Sequence, residues 1–153
     1  MELGRQVASP AWSIRPARAD DYAAIEGVWS TAELPYRSGM RDSLAGFQRQ
    51  LERFGDLYLV AVDGERVVGV VFGTHDERKG WINRLAVLPG YRRQGMAASL
   101  VSACDKAIRA CGIEIVAALI EPENTVSARL FKRLGYKDDV PARYYRKLSH
   151  GEA

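Results

Sequence analysis

The segment Leu85-Ala86-Val87-Leu88-Pro89-Gly90-Tyr91-Arg92-Arg93-Gln94-Gly95-Met96-Ala97 puts two permanent cations and several small residues where a strand-like run gives way to a helix-like one. The first amides of a helix have no intrahelical partner and sit at the positive end of its dipole, so such a turn suits an anion. Gly95 and Ala97 let a phosphate approach the backbone, and Arg92 and Arg93 add charge that suits a pyrophosphate. Gly90 to Gly95 has the spacing of a Walker A loop, but Met96-Ala97 stand where Lys and Ser/Thr would hold phosphate and metal, which argues against NTP hydrolysis. There is no GxGxxG, and no βαβ unit opens the chain, which argues against a dinucleotide fold. A solvated Arg-Arg pair at a helix start is the plainer reading of the same residues.

Other chemistry is thinly represented. His75 and Asp76 are adjacent at the end of a strand-like run, but a lone His near pKa 6.5 carries little weight. No His/Cys/Asp cluster has metal-ligand spacing, so no metal is expected, and there is no Ser-His-Asp pattern. Cys104 and Cys111 fall on one predicted helix about two turns, or roughly 10 Å, apart. A disulfide needs Cα atoms within about 7 Å, so both are expected as free thiols in a reducing cytoplasm.

The elements that must position these residues follow from periodicity. Trp12 to Arg15 alternates as a short strand ended by Pro16. From Asp20, a candidate N-cap, Tyr22, Ile25, Trp29 and Ala32 recur at helical spacing until Pro35. After a turn-rich stretch from Pro35 to Gly39, Leu44, Phe47, Leu51 and Phe54 mark a second helix closed by Gly55. Leu57 to Val62 and Val67 to Phe72 flank Asp63-Gly64 as a hairpin, and a further strand runs from Trp81 to Leu88. Met96, Leu100, Cys104, Ala107, Ile108 and Cys111 keep helical phase until Gly112. An apolar strand from Ile113 to Ile120, a short helix bearing Val126, Leu130 and Leu134, and two strands around Tyr136 to Val140 and Ala142 to Leu148 complete the chain. The order β-α-α-β-β-β-α-β-α-β-β describes an α/β fold with a central mixed sheet flanked by helices.

With 153 residues, the chain is expected to form one domain, with an ordered core from about residue 12 to 148. Its 47% hydrophobic and 27% charged residues exclude disordered and low-complexity classes. The first residues hold no signal-peptide core, and no apolar run approaches the roughly 20 residues of a membrane span. A net charge of +3 fits an anionic ligand without demanding a polyanion, so nucleic acid is a third-ranked partner.

Val87-x-Pro89-x-Tyr91-Arg92-Arg93-Gln94-Gly95-Met96-Ala97 resembles motif A of the GCN5-related N-acetyltransferases, [Q/R]-x-x-G-x-[G/A], with Arg92, Gly95 and Ala97 at the matching positions. Asn124 through Tyr136 is similar to the family's second signature, an Asn-initiated helix ending in Leu-Gly-aromatic. The resemblance covers about residues 12 to 148. It implies acetyl-CoA as cosubstrate, no metal, and an amine acceptor. The pantetheine arm would pair with Leu85, Ala86 and Val87, and the pyrophosphate would take the amides of Arg92, Arg93, Gln94, Gly95, Met96 and Ala97. Asn124 would bond the pantetheine, although helix capping explains it equally well.

Two positions depart from the family pattern. Phe131 stands in the cofactor region where relatives commonly carry the Tyr that protonates the departing thiolate, and Leu119 stands where some carry a basic Glu. Tyr144 and Tyr145, adjacent on the last predicted strand, are the substitute acids, one inward and one outward, with ordinary strand packing as the alternative. Tyr136 reads as core in the Leu-Gly-Tyr turn. Glu121, on the same strand face as Leu119 if the strand continues, and Glu33, in the region that forms the acceptor site in relatives, are the candidate bases. Either carboxylate also reads as solvated. The leading reading is an acetyl-CoA-dependent N-acetyltransferase, with a non-catalytic acyl-CoA-binding domain as the alternative. The oligomeric state stays open between a monomer and a homodimer.

Overall fold

The computed structural model describes residues 11–36 and 41–149. Two compact units divide the chain, Met1–Leu119 and Ile120–Ala153. In the first, β1 (Ser13–Pro16), β2 (Tyr58–Asp63), β3 (Arg66–His75), β4 (Lys79–Val87) and β5 (Ile115–Ala117) form one sheet in sequence order. Neighbours are antiparallel from β1 to β4, and β4 and β5 are parallel. Helix α1 (Tyr22–Thr31) and helix α2 (Leu44–Phe54) separate β1 from β2, and α3 (Met96–Ala110) makes the crossover from β4 to β5. The second unit holds α4 (Thr125–Arg133). The mixed sheet with flanking helices is the architecture the sequence predicts.

Local chemistry explains most boundaries. Asp21, not Asp20, anchors the entry to α1, at the end of a short 3-10 turn over Ala19–Asp21. Its carboxylate accepts from the Arg18 amide at 2.7 Å and from two Arg15 nitrogens at 2.8 and 2.9 Å, whereas Asp20 is exposed. The exit from α1 is a Schellman motif, with the Glu33 amide on Ser30 O and the Leu34 amide on Trp29 O. Ser43 caps α2 by accepting from the Gly46 amide at 3.0 Å. The Arg37 to Gly39 part of the expected turn-rich loop lies outside the described residues. Gly64, at φ +62, supplies the left-handed residue in the turn between β2 and β3.

The sheet is packed on both faces. Met96, Leu100, Cys104 and Ile108 form one buried stripe of α3, and opposite it the sheet carries Gly69, Gly73 and Gly80. A Cβ at Gly69 would lie 3.0 Å from Met96 Sδ, and one at Gly73 would lie 2.6 Å from Cys104 Sγ. These glycines are the groove in which the helix lies. Trp29 of α1 and Phe47 of α2 pack on Phe72, which is stacked at 3.9 Å on its cross-strand partner Tyr58.

Three expectations are corrected. The strand expected from Ile113 to Ile120 is confined to Ile115–Ala117. Among the described residues β5 pairs with β4 alone, and their last shared rung, Trp81 with Ala117, lies ahead of the bulge at which the ladder of β4 changes register. Glu121 therefore sits in a turn, its carbonyl accepting from the Asn124 amide at 2.9 Å, and not on a continuing strand. The two terminal strands do not form among the described residues. Lys137-Asp138-Asp139 and Pro141 favour turns, and the Ala142 amide bonds Val140 O across Pro141. The inward and outward alternation expected of Tyr144 and Tyr145 thus has no strand to act on, and both are exposed, at 73% and 85%.

Candidate functional site

Strand β4 runs on to Val87, but its pairing with β5 stops at Trp81. Past that rung the edge facing β5 has no strand partner among the described residues, and it carries Leu85, Ala86 and Val87. A bulge is the cause. Arg84 and Leu85 together oppose Val71, between the rungs Val70 with Ala86 and Phe72 with Asn83. Arg84 has φ +57, a conformation uncommon outside glycine and concentrated at functional sites.

The chain then turns through Pro89–Tyr91 into α3. The Tyr91 hydroxyl fixes this turn by donating to Asp63 Oδ2 at 2.5 Å, a bond that raises the tyrosine pKa. Gly95, the N-cap at φ +78, offers no side chain to the first helical amides. A Cβ there would meet nothing within 4 Å, so the space beside the N-cap is open. Arg92, Arg93 and Gln94 are exposed around it, Ala97 is half-buried and Met96 is buried in the core. Open space, free amides and two arginines at a helix start fit a pyrophosphate, and an unpaired strand edge leading to them fits an amide-bearing arm such as pantetheine. The turn and Leu85 to Val87, singled out in the sequence, are thus parts of one continuous edge.

On the α1 side of the same bulge lies a cluster that sequence reasoning missed. The Arg84 guanidinium lies 4.3 Å from the Trp29 ring centroid, and its Nη1 donates to Pro35 O at 2.7 Å. Asp42 Oδ2 is 3.8 Å from Nη2. Burial pulls the Arg84 pKa below the usual arginine value, against the pull of Asp42. The available signal was Asn83-Arg84, two consecutive polar residues that break the alternation of an otherwise apolar strand. Glu33 is exposed and occupies the left-handed position, φ +59, that closes α1.

In the second unit, Asn124 caps α4, its Oδ1 accepting from the Ser127 amide at 3.1 Å. Both amide hydrogens of its side chain remain for other partners. Helix α4 ends in a Schellman motif, with Gly135 at φ +94 and the Tyr136 amide on Phe131 O. The Phe131 and Tyr136 rings meet edge to face at 5.0 Å, the hydrophobic contact that accompanies such a motif. Phe131 is buried, and Glu121 is exposed. Among the described residues no group of three His, Cys, Asp or Glu side chains could hold a metal ion, and no helix is long and apolar enough to cross a membrane.

The sequence matches the Acetyltransferase (GNAT) family over residues 15–136, and the chain belongs to that family. An acetyltransferase of Pectobacterium atrosepticum is 29% identical over 126 residues, covering 81% of this chain and 86% of the relative. The structure of yncA from Salmonella typhimurium with its cofactor acetyl-CoA is 26% identical, with a TM-score of 0.67 over 84% of this chain and 80% of that one. The fold is also that of AAC(6')-Iy in complex with a bisubstrate analog, with a TM-score of 0.74 at 20% identity over 90% of this chain and 98% of that one.

Proposed function

We propose that the chain is an acetyl-CoA-dependent N-acetyltransferase that passes acetyl directly to a primary amine, of a small molecule or a protein, within a ternary complex. The observation that carries this reading is the unpaired edge of β4 running into the uncapped, open N-terminus of α3. Family membership and the acetyl-CoA complex of a relative support the same cosubstrate. Acetyl-CoA supplies an activated thioester. The amine nitrogen attacks its carbonyl carbon, the C–N bond forms as the C–S bond breaks, the amine releases a proton and the thiolate takes one up.

An amine of pKa about 10.4 is mostly protonated at neutral pH, so a base is needed, acting directly or through water. Glu33 and Glu121, both exposed carboxylates, are assigned that work. Tyr144 or Tyr145 is assigned protonation of the thiolate, because Phe131 has no proton to give. Cys104 is unsuited to relay the acetyl group, because it is buried and its thiol is pushed up to about 12. We further assign the chain to the cytoplasm, as one acyltransferase domain acting alone or as a homodimer; its two free thiols and its cosubstrate support that compartment.

A second reading, a non-catalytic acyl-CoA-binding domain, is favoured by Phe131 and by Leu119 standing where some relatives carry Glu. Calorimetric titration with acetyl-CoA, followed by an amine screen that monitors release of the CoA thiol, separates the two. Micromolar or tighter binding with turnover is expected. Binding without turnover of any amine selects the second reading, and no binding overturns both. Gly95→Glu is expected to weaken acetyl-CoA binding at least tenfold by closing the open space and adding repulsive charge.

A further inference from the structure

Among the described residues, three buried side-chain nitrogens have no hydrogen-bond partner: Trp29 Nε1, Arg84 Nε and Arg84 Nη2. All three are donors, and they belong to two side chains stacked on each other. Burying a donor without an acceptor is costly, so a cluster of such donors requires an explanation. Here the two Arg84 nitrogens are the ones that form one edge of a guanidinium, with parallel N–H bonds at the spacing of two carboxylate oxygens. The rest of the group is immobilised, with Nη1 held by Pro35 O at 2.7 Å and the plane resting on Trp29. Asp42 Oδ2, at 3.8 Å from Nη2, is too far away for a hydrogen bond. The backbone of Arg84 forms the bulge together with Leu85, so its side chain leaves the strand within the stretch of β4 that lies past its last rung with β5.

We propose that this edge of Arg84 selects the acceptor by taking a carboxylate carried by the amine substrate. The substrate class is then amines that bear a carboxylate, of which free amino acids are the simplest. This inference rests on the reading of the chain as an acetyl-CoA-dependent N-acetyltransferase. The competing occupant of the fork is Asp42, which would close on Arg84 and leave it a purely structural link between β4 and the segment after α1.

The test uses the full chain with acetyl-CoA and follows thiol release from glutamate, methionine and phenylalanine, each paired with its own α-carboxamide. The carboxamide has the less basic amine and so the larger neutral fraction at pH 7.5, which works against the expected result. Each acid should exceed its amide at least tenfold in kcat/KM, mainly through a lower KM. In Arg84→Gln that ratio should fall to within about threefold, and Arg84→Lys should recover part of it. Equal use of acid and amide by the parent, or an equal loss for both in Arg84→Gln, overturns the proposal in favour of the structural link. Should Arg84→Gln fail to fold, the parent and Arg84→Lys ratios decide. Failure of acetyl-CoA to bind the parent removes the underlying reading. If acetyl-CoA binds while no carboxylate-bearing amine is acetylated, or binds calorimetrically in the presence of CoA, only the present proposal is overturned.

Discussion

Phe131 and Tyr136 show how one aromatic position can be claimed by structure or by chemistry. The Phe131 ring completes the contact that closes α4, which any aromatic residue of that size would do, so the Schellman motif does not require the missing hydroxyl. Proton donation to the thiolate then falls to another group. If Tyr144 or Tyr145 provides it, changing that residue to Phe should lower kcat about 10²-fold and leave acetyl-CoA affinity unchanged, as read by steady-state kinetics beside calorimetry. Loss of less than a few-fold in both single variants and in the double variant would assign the proton to water. Phe131→Tyr raises kcat only where proton donation limits the rate. Both tyrosines are exposed, so neither substitution opens a cavity that would confuse a kinetic effect with a folding one.

At the level of elements, the crossover helix is positioned by what the sheet omits. Gly69, Gly73 and Gly80 leave room for Met96, Leu100, Cys104 and Ile108, and that close seating sets where α3 starts and hence where its free amides lie. A methyl group at Gly73 would come within 2.6 Å of Cys104 Sγ and 3.2 Å of Ile108 Cδ1. Gly73→Ala is therefore expected to destabilise the fold by about 1–3 kcal/mol, and Cys104→Ala in the same chain should restore part of that loss. Urea unfolding of the two single variants and the double variant measures the coupling; simple additivity would mean that the helix shifts away as a rigid body. The amphipathic stripe of α3 is readable from the sequence, but the glycines that receive it are scattered over two strands and carry no periodic signal.

For the molecule as a whole, acid stability depends on how the chain enters its first helix. Asp21 is 8% exposed, and its hydrogen bonds to Arg15, opposed by burial and reinforced by the Arg18 amide, hold its carboxyl below the ordinary carboxylate range. The folded state thus binds fewer protons than the unfolded one, whose Asp titrates near pH 3.9. This stabilisation is fully present above that value and is lost as the pH falls through the folded pKa. Asp21→Asn should be less stable than the parent at pH 7, yet lose less stability on going from pH 7 to pH 3, as measured by urea midpoints at the two values. An unchanged pH dependence would assign the acid limb to other groups, Asp76 among them, whose carboxyl is lowered by the Lys79 and Arg78 amides.

The sequence by itself determined the Arg- and Gly-containing turn before α3, the two signatures and most of the element order, because these reside in local patterns: a glycine with its neighbouring amides, a helical stripe, a capping Asn, an Asp-Gly turn. Leu85 to Gly95 could be singled out for the same reason, since strand, turn and helix start are contiguous in the chain. What only the tertiary structure decided is where pairing stops. The length of β5 is set by where its pairing with β4 ends, ahead of the bulge in that strand, and among the described residues no strand forms after Gly135. The Arg84 cluster likewise joins β4 to Trp29, Pro35 and Asp42 across some 40 to 55 positions of sequence. No local pattern reports a contact of that kind, because its energy comes from burying together groups that only the fold makes neighbours.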